Sequence, residues 1–351
     1  MKKWILQIAL ACISITMVNN VLANKIAYPD VDVYKTTQIS AQEINKKYFN
    51  QFQEIANIML STESLTSKTN LQKTESLLRE TTDGIKKMGN FALVKVAPIM
   101  YPGVNHIYIS IDIVDLKDKK RLSYFNPKPT KSITDPDGLI AMWQTYQKIG
   151  MDILFKGKTA PGFKTCPAFD CIFGFDDPRL KKFQPIFDKK VPENKLQLIQ
   201  ILRQDENPKK RAAAAFLLAH ITNGKELIEI LTPSIQDPDG EVRNNVMRVL
   251  GIIAIKSKNL EFPIKQIVSA LDYPLVQDRN KALFVLAFIA NQPRYSEYIL
   301  QHASSELIDN LKMSQPDVHS LAYQILVIMS GKKFSERDYQ AWTSWINNHK
   351  T

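Results

Sequence analysis

The stretch Asp237–Ala254 reads DPDGEVRNNVMRVLGIIA, and it decides the fold of the second half of the chain. An Asp-Pro-Asp-Gly turn opens it, and apolar residues then recur at the spacing of an amphipathic helix. The pattern occurs four times, each copy with a marker residue near the start of its helix, and a leucine follows each marker by seven residues. The markers, which are 32, 36 and 40 residues apart, are Arg211, Arg243, Arg279 and His319. Self-similarity at this period predicts a helical repeat architecture.

An Asp, then Val-Arg, then a helix patterned with Ala and Leu resembles HEAT repeats, a family of α-solenoids. The resemblance implies that residues 193–351 form repeats, each pairing a first helix with a second helix that carries the marker. One repeat cannot bury its apolar stripe alone, whereas stacked neighbours can. Ser335–His349 is expected to close the stack as an amphipathic capping helix.

The resemblance also implies a ladder of Asp and Arg side chains between neighbouring repeats. Two copies separate the Asp from the Arg by six residues, and the third separates them by seven. In the last copy Met313 and His319 occupy the two positions, which suits a terminal repeat. The expected ladder residues are Asp205, Arg211, Asp237, Arg243, Asp272 and Arg279.

We call the positions two, five and nine residues after each marker the far face, because they lie opposite the core side of the marker helix. This face is far from uniformly polar, so it must be covered by another part of the chain or by a partner. Aromatic rings flanked by cations are typical of binding hot spots. Packing beneath the Phe-rich connector is the competing interpretation. The candidate partner-binding residues are Phe216, Arg248, Ile252, Lys281, Phe284 and Phe288.

Residues 24–160 predict an α+β domain, so the predicted fold class is an α+β domain followed by an all-α solenoid. Ser40 and Glu43 form a capping box before the first helix. After a second helix the hydrophobic period changes to two, which predicts a hairpin of Phe91–Met100 and His106–Val114. The order strand-helix-helix-strand-strand is similar to polypeptide-transport-associated (POTRA) domains, which bind partner segments along a sheet edge. A generic α+β domain is the alternative.

Residues 1–23 have the pattern of a secretory signal peptide. Lys2 and Lys3 precede an apolar run, and Val21-Leu22-Ala23 resembles a cleavage site. The run is too short to span a bilayer, and so is every later apolar stretch. The sequence therefore predicts an exported chain, periplasmic or secreted, that associates with the cell envelope.

Two cysteines, Cys166 and Cys171, remain once the signal segment and its Cys12 are removed. An even count in an oxidising compartment predicts that they form a disulfide. They lie in a connector, residues 161–192, that is rich in Phe and Pro. So many aromatic residues predict an ordered segment that anchors the two halves of the chain, not a solvated tether.

Catalytic and cofactor motifs are missing from the sequence. The formal charge is +11, but the cations are interspersed with carboxylates, which favours a solvated surface over nucleic-acid binding. The five histidines are dispersed, and His220 is predicted to be a packed or surface residue and not a catalytic one. No GxSxG, HExxH, Walker A or GxGxxG pattern occurs, so no cofactor or metal is expected.

The sequence therefore predicts an exported, non-enzymatic HEAT-like scaffold that binds a protein or peptide partner. The alternative is an enzyme with an inter-domain site that no motif reveals, since some HEAT-like proteins resemble phycobilin lyases. A cleft that gathers two or more titratable groups within hydrogen-bond reach would favour the enzyme.

Overall fold

The computed structural model describes residues 28–61, 67–101, 104–155, 166–257 and 259–350. The predicted signal peptide, residues 1–23, and the start of the connector lie outside these ranges. The chain divides into an N-terminal unit, residues 1–119 with 312–320, and a helical unit, residues 120–311 with 321–351. The predicted fold class is confirmed, because a small sheet precedes a long series of helices.

The N-terminal unit has the predicted order strand-helix-helix-strand-strand. Its sheet has the order β1-β3-β2, in which β1 runs parallel and β2 antiparallel to the central strand β3. The likeness to POTRA domains rests on this order and stays a prediction. The elements are β1 Asp30–Tyr34, α1 Ala41–Leu60, α2 Lys68–Lys86, β2 Phe91–Met100 and β3 Ile107–Asp115.

Local sequence signals explain how the N-terminal unit forms. The hydroxyl of Ser40 accepts from the backbone N–H of Glu43 at 3.2 Å, and the Glu43 carboxylate accepts from the Ser40 N–H at 2.8 Å. This is the predicted capping box. The Ser40 hydroxyl and the Ser40 backbone N–H both donate to the Glu43 carboxylate, and they lower the pKa of Glu43. The alternating isoleucines of β3 are fully buried in the core with apolar residues of α1, and they are Ile107, Ile109, Ile111 and Ile113.

The helical unit begins before the residue at which the sequence boundary was placed. Residues 120–155, which lie within the predicted α+β range of 24–160, belong to it. Helix α3 packs against the second helix of the first repeat through stacked rings of Trp143 and Phe216. The elements that precede the repeats are α3 Leu139–Phe155, α4 Pro178–Lys181 and α5 Gln184–Glu193.

Three helix pairs follow, as the repeat pattern predicts. Marker spacing of 32 to 36 residues leaves room for one pair and its loops in each repeat. The pairs are α6 Lys195–Gln204 with α7 Pro208–Leu217, α8 Gly224–Leu231 with α9 Gly240–Lys256, and α10 Ile264–Ser269 with α11 Val276–Ile289.

The fourth copy contains a helix that the sequence reading did not predict. Helix α12 precedes the first helix of this repeat, and its insertion accounts for the longer spacing of 40 residues between the last two markers. In the capping helix, Trp342 and Ile346 are buried as predicted. The elements are α12 Pro293–His302, α13 Ser304–Leu311, α14 Pro316–Ser330 and α15 Tyr339–His349.

The core register of the repeats agrees with the sequence. The residues seven positions after the four markers are all fully buried, and so are the residues three positions after them. The leucine positions are Leu218, Leu250, Leu286 and Leu326. One methyl-rich row therefore runs through the interior of successive repeats, which is how stacking buries a stripe that one repeat would expose.

Candidate functional site

The arginine markers connect successive repeats through buried ion pairs. Arg211 donates Nε and Nη2 to both carboxylate oxygens of Asp237 in the next repeat, at 2.9 and 2.8 Å. Its Nη1 donates to the backbone carbonyl of Asp205 at 2.8 Å. Bidentate pairs of this kind are strong and geometrically specific. The guanidinium thus fixes both its own loop and the loop of the following repeat.

The third copy requires a correction to the predicted ladder. Arg243 engages Asp278, at 2.9 and 2.7 Å, where the sequence reading placed Asp272. The carboxylate of Asp272 instead faces Arg121 and Tyr124. The physical reason is the extra residue in this copy: a 3-10 turn ends at Asp272, and the carboxylate that reaches the Arg comes from the first turn of α11.

The fourth copy receives its carboxylate from a distant strand. Met313 stands where the earlier copies have Asp205 and Asp237, whose side chains accept from the backbone N–H two residues later. In this copy Asp32 of β1 accepts from the N–H groups of Ser314 at 2.9 Å and Gln315 at 3.0 Å. A methionine in the ladder position is therefore compensated by an aspartate from elsewhere in the same unit.

A segment, residues 121–134, that starts in the last turn of a 3-10 helix and continues without helix crosses the first three repeats, and we call it the strap. It contacts the loop after the first helix of each repeat, in the order third, second, first. Phe125 of the strap also lies under the Arg243 guanidinium, 4.0 Å from its centre. The contacting pairs are Arg121 with Asp272, Asn126 with Gln236, and Lys131 with Gln204 and Glu206. The solenoid thus already binds an extended piece of its own chain.

The far face of the first repeat is covered from within the helical unit. Phe216 is buried, and its ring stacks on Trp143 of α3 with centroids 5.0 Å apart. This residue was a candidate for partner binding, and the structure places it inside the unit. The apolar ring of Phe216 is shielded from water by α3 of the same chain, so no partner is required to cover it.

The disulfide loop covers the far face of the second repeat. Cys166 and Cys171 are bonded, as predicted. Between them, the buried Asp170 accepts from Nε of Arg248 at 2.6 Å, and the carbonyl of Ala168 accepts from Nζ of Lys256 at 2.8 Å. Burial lowers the pKa of Lys256. Arg248, a second candidate for partner binding, is thus engaged by the connector.

Of the four remaining candidates, two are buried and two are half-buried. Ile252 is buried, and Phe284 is buried against the backbone of Gly251, where an added Cβ would lie 2.3 Å from the ring. Phe288 and Lys281 are half-buried, and the Lys281 ammonium lies 6.0 Å from the Phe284 ring centre. The competing interpretation, an internal seam, therefore describes Phe216, Ile252 and Phe284 better than a partner-binding face.

One cavity of the helical unit, about 400 Å³ in volume, is lined by groups that satisfy one another. We call it the paired cavity. Nδ1 of His220 lies 2.8 Å from the carboxylate of Asp188, and the Lys195 ammonium lies 2.5 Å from Glu226. The His220 side chain is 1% exposed, and its buried Nε2 has no hydrogen-bond partner among the residues that the structure describes. The sequence reading missed this histidine–carboxylate pair because 32 residues separate its members.

A second cavity, about 320 Å³ in volume, is lined mainly by polar side chains that have no partner among the described residues. We call it the amide cleft. Its floor is the small pair Ala212 and Ala213, and its walls come from α3, α7 and α9. Among the described residues, four of its polar side chains form no hydrogen bond or ion pair. These unpaired side chains are Gln144, Gln147, Lys209 and Glu241.

Asn245 is the one buried polar side chain of the amide cleft. Its Nδ2 donates to the carbonyl of Ala212 at 3.1 Å, which fixes the orientation of the amide. The Oδ1 atom has no partner among the described residues and is not one of their fully buried orphan atoms. The positioned Oδ1 acceptor of Asn245 therefore lies beside the two glutamine amides and the opposite charges of Lys209 and Glu241.

Residues 196–287 match the family model of HEAT repeats. This array is similar to HEAT repeats. The match begins in α6 and ends in α11, so it spans the first three helix pairs, and the predicted resemblance is confirmed. No curated protein and no solved structure matches the chain.

Within the ranges that the structure describes, no helix has the length and apolar character needed to cross a membrane. The same ranges contain no group of three or more His, Cys, Asp or Glu side chains arranged to hold a metal ion. Asn245 and the two glutamines were not predicted as site residues. Asn245 occupies a far-face position, which was the only signal that could have identified it.

Proposed function

We propose that this chain is an exported scaffold that binds a protein partner through the amide cleft of its HEAT-like array. Helical repeat arrays commonly mediate protein interactions, which supports a binding role. The observation that carries the proposal is that most polar side chains lining the cleft have no bonding partner among the described residues. A polar side chain that lines a cavity and has no internal partner can bond to a ligand without first breaking a bond within the fold.

The comparison with the paired cavity supports the choice of site. There a ligand would compete with ion pairs that are already formed, at His220 with Asp188 and at Lys195 with Glu226. In the amide cleft a ligand meets one ammonium, one carboxylate, two glutamine amides and the Oδ1 acceptor of Asn245, none of which has a partner among the described residues. The cost of binding is therefore lower in the amide cleft than in the larger cavity.

Export is proposed on two observations. The first 23 residues have the signal-peptide pattern, and the disulfide between Cys166 and Cys171 suits an oxidising compartment. Intact-mass analysis of the chain purified from the periplasm or medium, alkylated with and without reductant, tests both. We expect a mature N-terminus near Asn24 and no alkylation before reduction. Retention of residues 1–23, or two thiols that are alkylated directly, would contradict the proposal.

Cross-linking in the envelope fraction tests partner binding. The bait is the tagged full chain, and its matched variant is Gln144→Trp, which places an indole at the exposed rim of the cleft. The control is Gln200→Trp, which changes an equally exposed residue of α6 that does not line the cleft. We expect at least one protein that wild type and control capture and that Gln144→Trp does not. Identical capture by all three baits would contradict the proposed site.

An enzyme remains the second candidate, and the pair of His220 and Asp188 is the observation that favours it. A carboxylate on Nδ1 orients an imidazole as a general base. Nε2, the atom that would move a proton, is however buried among the rings of Phe175 and Phe187. Hydrolysis of a panel of ester, amide and phosphate substrates by the wild type, abolished in a folded His220→Asn variant, would favour the enzyme over the scaffold.

A further inference from the structure

The amide cleft has a chemical pattern that specifies what kind of segment it can hold. We propose that it binds an extended peptide segment of a partner that carries one acidic and one basic side chain about three residues apart. This inference rests on the proposed function and adds to it the chemistry of the partner.

The carboxamides indicate a peptide backbone. A carboxamide presents one acceptor and two donors in a plane, so it can accept from one backbone N–H and donate to one C=O. An extended chain offers these groups all along its length, and it leaves them unpaired unless a neighbour supplies partners. Gln144 and Gln147 lie one turn apart on α3, and Asn245 on α9 faces the same cleft.

The floor of the cleft indicates a segment without bulk at its centre. Ala212 and Ala213 are small, and Trp143 forms an apolar wall that is held in place by stacking on Phe216. A close approach of a backbone is possible only where side chains are this short. The volume, about 320 Å³, is at the lower end of ligand pockets and suits a few residues of chain.

The two charges set the side-chain pattern of the segment. Lys209 lies in the first turn of α7 and Glu241 in the first turn of α9, and these helices pack directly against one another. Packed helices are about 8–10 Å apart. An extended chain advances about 3.3 Å per residue, so about three residues separate positions opposite the two charges. An acidic residue would meet Lys209, and a basic residue would meet Glu241.

Nuclear magnetic resonance with two blocked hexapeptides tests this inference. The probes are Ac-Thr-Glu-Ser-Ser-Lys-Thr-NH2 and its charge-reversed form Ac-Thr-Lys-Ser-Ser-Glu-Thr-NH2, added to the full mature chain labelled with 15N. We expect one of the two to shift the side-chain amide signals of Gln144, Gln147 and Asn245 with about fivefold higher affinity than the other, the scale of exposed charge pairs.

The charge-swapped variant, Lys209→Glu combined with Glu241→Lys, supplies the decisive comparison. It keeps the net charge and exchanges the two poles of the cleft, so the preferred hexapeptide should exchange with it. No amide shift with either peptide, or a preference that the swap leaves unchanged, would overturn the inference. Equal shifts with the blocked single amino acids N-acetyl-glutamate amide and N-acetyl-lysine amide would overturn it too, because the site would then not require a chain.

The outcome is separable from that of the proposed function. If the hexapeptides fail while Gln144→Trp still abolishes capture from the envelope, the cleft binds a partner by other chemistry and only this inference is lost. If neither experiment succeeds, the binding site itself is abandoned.

Discussion

The two cavities of the helical unit contain similar polar groups but differ in how those groups are paired. In the paired cavity two pairs of side chains join different helices: His220 bonds to Asp188, and Lys195 bonds to Glu226. In the amide cleft Lys209 and Glu241 have no partner in the part of the chain that the structure describes. Polar groups that bond to one another across a cavity stabilise the fold, whereas polar groups without such partners are available to bond to a ligand.

The largest loss of stability is expected when one partner of a buried ion pair in the Asp–Arg ladder is removed. In Asp278→Ala the buried Arg243 loses both of its carboxylate contacts. Removing one partner of a buried ion pair costs about 3–5 kcal/mol, because the other charge stays buried without compensation. Urea unfolding followed by circular dichroism measures this loss. A loss below about 1 kcal/mol, within the range of surface pairs, would mean that the ladder is not structural.

A substitution on the far face should also cause a large loss of stability, which distinguishes an internal seam from a binding surface. Phe284→Ala removes a ring that packs against Gly251 inside the helical unit, and we expect a loss of about 3–5 kcal/mol. Adding Lys281→Glu should change the melting temperature little further. A normal melting temperature in the double variant, with partner capture lost, would restore the far face as the binding surface.

The paired cavity should respond moderately. Asp188→Ala leaves Nδ1 of the buried His220 without an acceptor, which costs about 1–3 kcal/mol. Asp188→Asn retains an acceptor and serves as the matched control, with a smaller loss. If both variants melt like the wild type, the pair contributes nothing to the fold, and the contrast between the two cavities disappears.

The fourth copy should respond less still. Asp32→Ala removes the carboxylate that accepts from Ser314 and Gln315 at the start of α14. The loss should be about 1 kcal/mol, the typical value of a helix cap. Restoring an aspartate in the ladder position, by Met313→Asp on the Asp32→Ala background, should recover part of it. Hydrogen exchange of the α14 amides is the measurement, and unchanged exchange in Asp32→Ala would show that the cap is unimportant.

The sequence predicted those features that depend on residues close together in the chain. The capping box of Ser40 and Glu43, the hairpin strands and the leucine row of the markers follow from local spacing, and each is found. Periodicity identifies a core because the same face of a helix repeats every few residues.

The features that the sequence missed depend on contacts between distant residues. Asp278 replaced Asp272 in the ladder because one extra residue shifted which turn faces Arg243. The strap and the amide cleft combine segments about 100 residues apart, as Gln144 and Asn245 illustrate. An exposed glutamine or lysine carries no periodic signal, so only the folded arrangement reveals that these side chains share one cleft without internal partners.

The affinity of the cross-linked partner for the double variant Lys209→Ala with Glu241→Ala tests the central claim most directly. Both side chains are exposed and have no partner in the described ranges, so the variant should lose less than about 0.5 kcal/mol of stability. Its affinity for the partner should nevertheless fall about tenfold. Unchanged affinity, or a fall accompanied by a stability loss as large as that of Asp188→Ala, would contradict the assignment of the amide cleft to binding.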